Sequence, residues 1–235
     1  MISIIIPTLN EEDYLPNLLE SIKSQDFLDY EIIVSDGGST DKTLEIAKSY
    51  GCIVTKGGLP ARGRNNGAKI AKGELLFFLD ADTILPDDFF KKLLEEFEVK
   101  KLDIASFCLT PLPIKKLSSL ITEIFYNKMI CVLEKKLPHG AVGILVKKNI
   151  FDLLGGYDEK IKLAEDHDLI RRSAKQGRFG IIRSVKILFS DRRFIKEGWL
   201  IMGFKFFLCE MHMIFIGPVK SDIFKYKFNH YKNKK

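Results

Sequence analysis

Residues 74–83 read ELLFFLDADT, and the fold turns on how this stretch is understood. A short apolar run suits a buried strand, yet this one ends in two carboxylates, Asp80 and Asp82. If the extended conformation continues through them, side chains two residues apart share a face, and the two charges repel unless something positive lies between them. A divalent cation meets that need; a hard ion such as Mg²⁺ or Mn²⁺ takes oxygen ligands and shares itself with substrate phosphates. The plain structural alternative is the entry to the following helix, with Pro86, Asp87 and Asp88 as an acidic first turn favoured by the helix dipole. That alternative accounts for Asp87 and Asp88 and leaves the earlier pair unexplained.

Upstream of this stretch, β-branched runs alternate with helical patterns, the habit of a parallel sheet with crossover helices. SIIIP is the first strand, and Asn10 is expected to cap a helix whose Leu15, Leu18, Leu19 and Ile22 recur at helical spacing, with Pro16 tolerated near the first turn. EIIVS, the turn DGGSTD, a helix over 42–50, the strand CIVTK and a short helix over 62–72 follow. Every polar residue of interest so far lies just after a strand, where open α/β sheets bind ligands. No GxGxxG follows the first strand and no GxxxxGK[ST] occurs, so dinucleotide and P-loop versions of this layout lose their support. Downstream, LDIASFCL and GAVGILVK read as strands around a long helix over 114–135; AEDHDLIRRSAKQG reads as a helix with an acidic start, and FGIIRSVKILF as a last strand.

At 235 residues, 46% hydrophobic and 29% charged, the chain is long enough for one sizeable core or for one core plus an appendage. Its four cysteines show no CxxC spacing, which predicts free thiols in a reduced, cytoplasmic setting, and ISIIIP is too short and uncharged at its front to be a signal peptide. Of the net charge of +6, residues 220–235 supply +5, from six lysines against Asp222. The body is therefore nearly neutral, which argues against a broad nucleic-acid surface.

Three acidic groups are candidates for chemistry: Asp36, the Asp80 and Asp82 pair, and Glu165, Asp166 and Asp168 at a helix start. Asp36 can accept hydrogen bonds from a ribose or a base, or simply form the Asp-Gly-Gly turn. Arg62, Arg64 and Lys69, with two glycines among them, offer positive charge for a diphosphate or the solvated start of a basic helix. In the third group a carboxylate can serve as general base, while Glu165 and Asp168 suit helix capping better than Asp166 does.

Taken together, PTLNEE (7–12), SDGGSTDKT (35–43), GRNNGA (63–68), FFLDADT (77–83) and AEDHDL (164–169) resemble the inverting family 2 glycosyltransferases of GT-A fold. The resemblance covers roughly residues 1–190. It implies an α/β, Rossmann-like, mostly parallel sheet flanked by helices, with a nucleotide-binding half over 1–110, an acceptor-side half over 111–190, and a C-terminal appendage over 191–235. In that family the positions of Pro7, Thr8, Glu11 and Asp36 contact base and ribose, those of Arg64, Asn65 and Gly67 lie by the nucleotide, Asp80 and Asp82 bind ribose, metal and diphosphate, and Asp166 is the catalytic base. The implied reaction moves a sugar from a nucleotide-diphosphate donor to an acceptor hydroxyl, lipid-linked or not, with Mg²⁺ or Mn²⁺. The QxxRW motif of processive synthases is absent, and SDRRFIKEG, with Arg192 and Arg193, resembles the tail of a small bacterial and archaeal branch.

Two rivals stand beside this reading. DADT also resembles the opening motif of haloacid-dehalogenase-like phosphohydrolases, although that nucleophile follows a domain's first strand. The other rival is a non-catalytic nucleotide-sugar binding module, in which Asp166 is only a cap. Over 199–216 the chain is apolar but carries Lys205, Glu210 and His212, which disfavours a membrane span. The expected helix is amphipathic, with Leu200, Phe204, Phe207, Leu208, Met211 and Phe215 on one face. That face is expected to cover the protein's own core or a sister subunit, and the lysine tail predicts peripheral attachment to anionic lipid at the inner membrane face. Sugar, base, acceptor and oligomeric state are not legible.

Overall fold

The computed structural model describes residues 1–224, so most of the lysine tail lies outside the described residues. The first half alternates as expected: β1 (Ile2–Thr8), α1 (Leu15–Lys23), β2 (Tyr30–Asp36), α2 (Thr43–Ser49), β3 (Ile53–Lys56), α3 (Pro60–Ile70) and β4 (Leu75–Leu79). There follow β5 (Thr83–Ile84), α4 (Phe89–Val99), β6 (Ile104–Leu112), α5 (Lys116–Thr122), α6 (Met129–Leu133), β7 (Gly143–Lys147), α7 (Lys148–Leu153), α8 (Glu165–Ser173), β8 (Phe179–Ser190), α9 (Arg192–Glu197) and α10 (Trp199–Phe215).

The strands form one mixed sheet in the order β3-β2-β1-β4-β7-β6-β8-β5. β1, β2, β3 and β4 pair in parallel, and β7 runs antiparallel between β4 and β6. Strand periodicity divides the core. Ile2, Ile4, Ile6 and Phe77 face one side with α1 and α4, while Ile5, Ile33 and Phe78 face the other with α3, α7 and α8. On the first side Phe77, Phe89, Phe90 and Phe107 pack against one another, some stacked and some edge-on, with ring centroids 5.4–6.3 Å apart. Each fully buried ring of this kind contributes about 1.5–3 kcal/mol of transfer free energy.

Several local expectations change. Asn10 does not cap α1, which begins at Leu15 with Pro16 in its first turn; instead Asn10 takes a left-handed conformation and its Oδ1 accepts the Thr40 N–H at 2.8 Å. An Asn side chain tolerates that backbone and can lock a neighbouring loop. Asp87 and Asp88 do not form an acidic first turn, because the left-handed Asp88 precedes α4, whose first turn has no acidic residue. The long helix over 114–135 is interrupted by a π-helical segment, Glu123–Lys128. Buried Asn127 lies in that segment, accepting the Leu109 N–H at 2.8 Å and donating to Leu109 O at 2.9 Å, next to a register shift in β6 at Phe107/Cys108. The bulged helix and the bulged strand are thus matched through one amide. Cys108 and Cys131, far apart in sequence, come together with Sγ atoms 3.9 Å apart, both as free thiols.

Candidate active site

The ends of β1, β2 and β4 lie side by side, so Thr8, Asp36 and Asp80 gather at one rim of the sheet. The chain leaves the sheet at Leu79, and Asp80 and Asp82 belong to a turn closed by Thr83 Oγ1 donating to Asp80 O at 2.8 Å. Strand alternation therefore does not place the two carboxylates face to face. Each leans to its own arginine.

Arg64, on α3, is buried and holds the first of them. Its Nη2 donates to Asp80 Oδ1 at 2.8 Å, its Nη1 donates to Glu165 Oε1 at 2.7 Å, and Nη1 lies 3.3 Å from Asp166 Oδ1. The guanidinium also stands over the Tyr157 ring at 5.4 Å. One fixed cation thus joins the end of β4 to the start of α8. Asp166 is pushed up to about 7, chiefly by burial, with Arg64 opposing and the Glu165 and Asp80 carboxylates adding to the rise. A carboxyl group poised near neutrality is suited to proton transfer.

Glu165 and Asp168 are not helix caps. Ala164 precedes α8 in a left-handed conformation without side-chain capping, and Asp168 pairs with Arg172 one turn on at 2.7 Å. The acidic start of α8 is thus divided among ion pairs, and it contains Asp166, the carboxyl group held near neutrality.

Arg192, at the start of α9, holds the second aspartate. Its Nη2 lies 3.0 Å from Asp82 Oδ2 and 2.9 Å from both Glu11 oxygens, with the guanidinium 3.9 Å from the Tyr14 ring centroid. Glu11 is therefore placed beside the aspartates. It is pushed up to about 7 by burial, opposed by Arg192 and reinforced by Asp82 and Asp80. Asp80 is also raised, by burial first and with a contribution from Asp82. This surplus of oxygen ligands and negative charge fits a hard divalent cation, and Asp80, 36% exposed, still reaches solvent.

The other expected residues divide. Asp36 uses both oxygens within its own loop: Oδ1 accepts from Thr8 Oγ1 at 3.1 Å and Ser39 Oγ at 2.5 Å, and Oδ2 from the Gly38 and Ser39 N–H groups at 2.9 and 2.8 Å. Both of its oxygens are committed to shaping the turn. Asn65 Nδ2 donates to Tyr157 O at 2.9 Å and its Oδ1 accepts the Tyr157 N–H at 2.8 Å, which fixes the loop that carries Tyr157. Gly67 is where α3 touches the sheet; a Cβ there would lie 2.4 Å from Ile5 Cγ2. Pro7 faces the same helix at Gly63. Arg62 and Lys69 are exposed while Arg64 is buried, so the three do not form one cradle. Residues two apart on a helix do not face each other, which is why Arg62 and Arg64 part.

Tyr14, Tyr157 and the pairing of Arg192 with Glu11 had no local signal, since Glu11 and Arg192 are separated by 181 positions.

Residues 3–115 match the family model described as Glycosyl transferase family 2, and this part of the chain is a family 2 glycosyltransferase domain. Among curated proteins, the poly(ribitol-phosphate) beta-N-acetylglucosaminyltransferase TarS of Staphylococcus aureus is 39% identical over 90 residues, 34% of this chain and 16% of that protein. The hyaluronan synthase of Pasteurella multocida is 29% identical over 212 residues, 84% of this chain and 21% of its own length. The chain thus spans about a sixth to a fifth of these relatives. In structure it is similar to S. aureus TarS residues 1–349 in complex with UDP, with a TM-score of 0.65 and 22% identity over 80% of this chain and 60% of that one. It is also similar to the Pyrobaculum calidifontis mannosyltransferase in complex with GDP-Man and Mn²⁺, with a TM-score of 0.64 and 23% identity over 80% and 56% of the two chains. The fold is that of the GT-A glycosyltransferases.

Proposed function

We propose that the chain transfers a sugar from a nucleotide-diphosphate donor to an acceptor hydroxyl, with inversion and with the help of a divalent cation. The observation that carries this reading is the Arg64 network, in which one buried guanidinium joins Asp80 of the aspartate pair to Asp166, a carboxyl group held near neutrality. Asp166, ionised, accepts the proton of the acceptor hydroxyl as that oxygen attacks the anomeric carbon, and a single in-line displacement inverts the centre. Asp80 and Asp82 would hold Mg²⁺ or Mn²⁺, which when bound supplies positive charge to the departing diphosphate. Arg64 keeps Asp80 and Asp166 in fixed relation while the loops around Thr8 and Asp36 receive the nucleoside. The phosphohydrolase alternative finds no support in a chain whose first half is a family 2 domain.

Calorimetry with UDP, GDP and their sugars, with Mn²⁺ and with chelator, tests the donor side, and the anomeric configuration of the product tests inversion. Nucleotide binding that is indifferent to metal overturns the role given to the aspartates.

For the acceptor, the proposal is a molecule presented at a membrane surface. Among the described residues no helix is long and apolar enough to cross a membrane. The support is the orientation of α10, which reverses the expected one. Its buried residues are Met202, Cys209 and Met213, while Lys205 pairs with Glu197 at 3.0 Å and Glu210 Oε2 accepts from His167 Nδ1 at 3.1 Å. The face expected to cover the core points outward instead, with Leu200 90% and Phe215 75% exposed. An apolar face turned to solvent, followed by the lysines of 220–235, suits an anionic lipid surface. Co-sedimentation with anionic vesicles that falls with salt and with deletion of 220–235 is expected; indifference to both removes this part of the proposal.

A further inference from the structure

The packing that holds α10 is sparse. Two of its buried side chains, Cys209 and Met213, form a small satellite cluster with Leu163 and Val219, apart from the main core. Beside that cluster lies a polar group drawn from three separate parts of the chain: His139 from the loop between α6 and β7, His167 from α8 and Glu210 from α10. One ligand atom from each can be chosen so that all three lie within 4.8 Å of one another. The two imidazole rings are in contact, with centroids 3.9 Å apart, and Tyr126 closes the far side of His139 edge-on at 5.7 Å. The group is partly screened from solvent, and among the described residues the His139 ring nitrogens make no hydrogen bond, only ring contacts. A sheltered imidazole with its lone pair uncommitted, set against a second imidazole and a carboxylate, is the donor set of a metal ion.

We propose that His139, His167 and Glu210 form a divalent-cation site for a borderline ion of the Zn²⁺ type, distinct from the aspartate pair, that clips α10 onto α8. In a tetrahedral site with ligand distances of about 2.0–2.2 Å the ligand atoms stand roughly 3.3–3.6 Å apart. His167 Nδ1 and Glu210 Oε2 stand at 3.1 Å, slightly inside that spacing, so a small opening of this pair and rotation of the His139 ring bring the three ligands into place. In the metal-free chain that pair is a hydrogen bond; with the ion bound, His167 carries its proton on Nε2 and turns the Nδ1 lone pair to the metal, so no net proton is released from a neutral ring. Arg171 pairs with the other Glu210 oxygen, Oε1, which orients the carboxylate and leaves Oε2 for the ion. Two nitrogen donors with one oxygen disfavour Mg²⁺ and Ca²⁺, which take oxygen sets. A fourth position is left for water. His167 directly follows Asp166, so the clip sets the first turn of α8 and connects the C-terminal helix to the proposed base. The inference is independent of the role given to the aspartates.

The test uses the full chain without an affinity tag, stripped with chelator, dialysed, and titrated with Zn²⁺ and with Co²⁺ as a spectroscopic stand-in. One equivalent of Zn²⁺ is expected to remain bound, and Co²⁺ is expected to show the intense visible absorption of four-coordinate geometry. X-ray absorption of the Zn²⁺ form should count two imidazoles, a readout that needs no variant. Asp82→Ala should keep this ion. His139→Ala and the near-isosteric Glu210→Gln should each weaken it by more than about 100-fold, since loss of a ligand exceeds the 10- to 100-fold typical of its supporting partners. A chain that retains no Zn²⁺, a six-coordinate Co²⁺ spectrum, undiminished binding in Glu210→Gln, or loss of the ion in Asp82→Ala overturns the site.

Discussion

Two arginines divide the negative charge of the site, and they do so differently. Arg64 rises from α3 inside the family-matched part of the chain, is buried, and is gripped by three carboxylates. Arg192 arrives from α9, beyond the last strand, and closes on Asp82 and Glu11 from the outside. The first is part of the scaffold, because removing it would strand buried charges. The second neutralises the very carboxylates a cation would use, so guanidinium and metal compete for the same oxygens.

Replacing Arg64 tests the first half of that contrast most severely. Arg64→Met is expected to lower stability by about 3–5 kcal/mol, the cost of leaving a buried ion network without its partner, and to abolish transfer; urea denaturation measures the loss. A variant as stable as the parent would show that the knot is not structural.

Asp166→Asn should spare the fold and the binding of donor while slowing transfer about 10²- to 10⁴-fold, as single-turnover kinetics would show. For a base, activity requires the ionised form, so the parent's rate should rise with pH through about 7. Stability runs the other way. The folded state binds this proton more tightly than the unfolded chain, so its stabilising contribution is full below the ordinary carboxylate range and is lost as pH rises through about 7. Melting of the metal-free proteins should therefore favour Asp166→Asn most at about pH 8 and least at about pH 4.

The seat of Arg64 can be disturbed without touching a charge. Gly67→Ala puts a methyl against Ile5 and Ser35 Oγ; overpacking costs about 1–3 kcal/mol and outweighs the gain of up to about 1 kcal/mol in helix propensity. Thermal melting should show a net loss, with donor binding weakened only in proportion to α3 displacement. The smallest effect is expected at Arg192. Arg192→Ala should tighten Mn²⁺ binding in the absence of nucleotide by about tenfold, near 1.4 kcal/mol, measured by calorimetry; weaker binding would mean that Arg192 supports the cation site.

The first half was legible because its elements are encoded locally: alternation in β1, the i, i+3, i+4 pattern of α1, and acidic residues placed after strands. The same locality explains the misses. In sequence Asp80 and Asp82 look like an extended pair, since nothing nearby says that the strand ends at Leu79. Asn65 gives no hint in sequence of its grip on the Tyr157 backbone 92 positions away, whereas the turn that Asp36 closes onto Gly38 and Ser39 is local and open to reading. In α10 the apolar pattern is plain in the sequence, but which arc faces inward depends on partners for Lys205 and Glu210 on other elements. Hydrophobic patterning alone does not assign a face to the core where partly buried ion pairs compete for it.

The position of β7 bears on how the chain can be cut and made. Lying between β4 and β6, it supplies the hydrogen-bonding neighbour of β4 from residues 143–147, more than sixty positions after that strand. A fragment stopping near residue 110 would present β4, with Phe77 and Phe78 at its centre, as an open edge inviting another strand. During vectorial synthesis the first half of the chain emerges first and waits in that state until residue 147 clears the ribosome. Truncations that respect the motif boundaries should thus aggregate, and the shortest soluble piece must extend past β7.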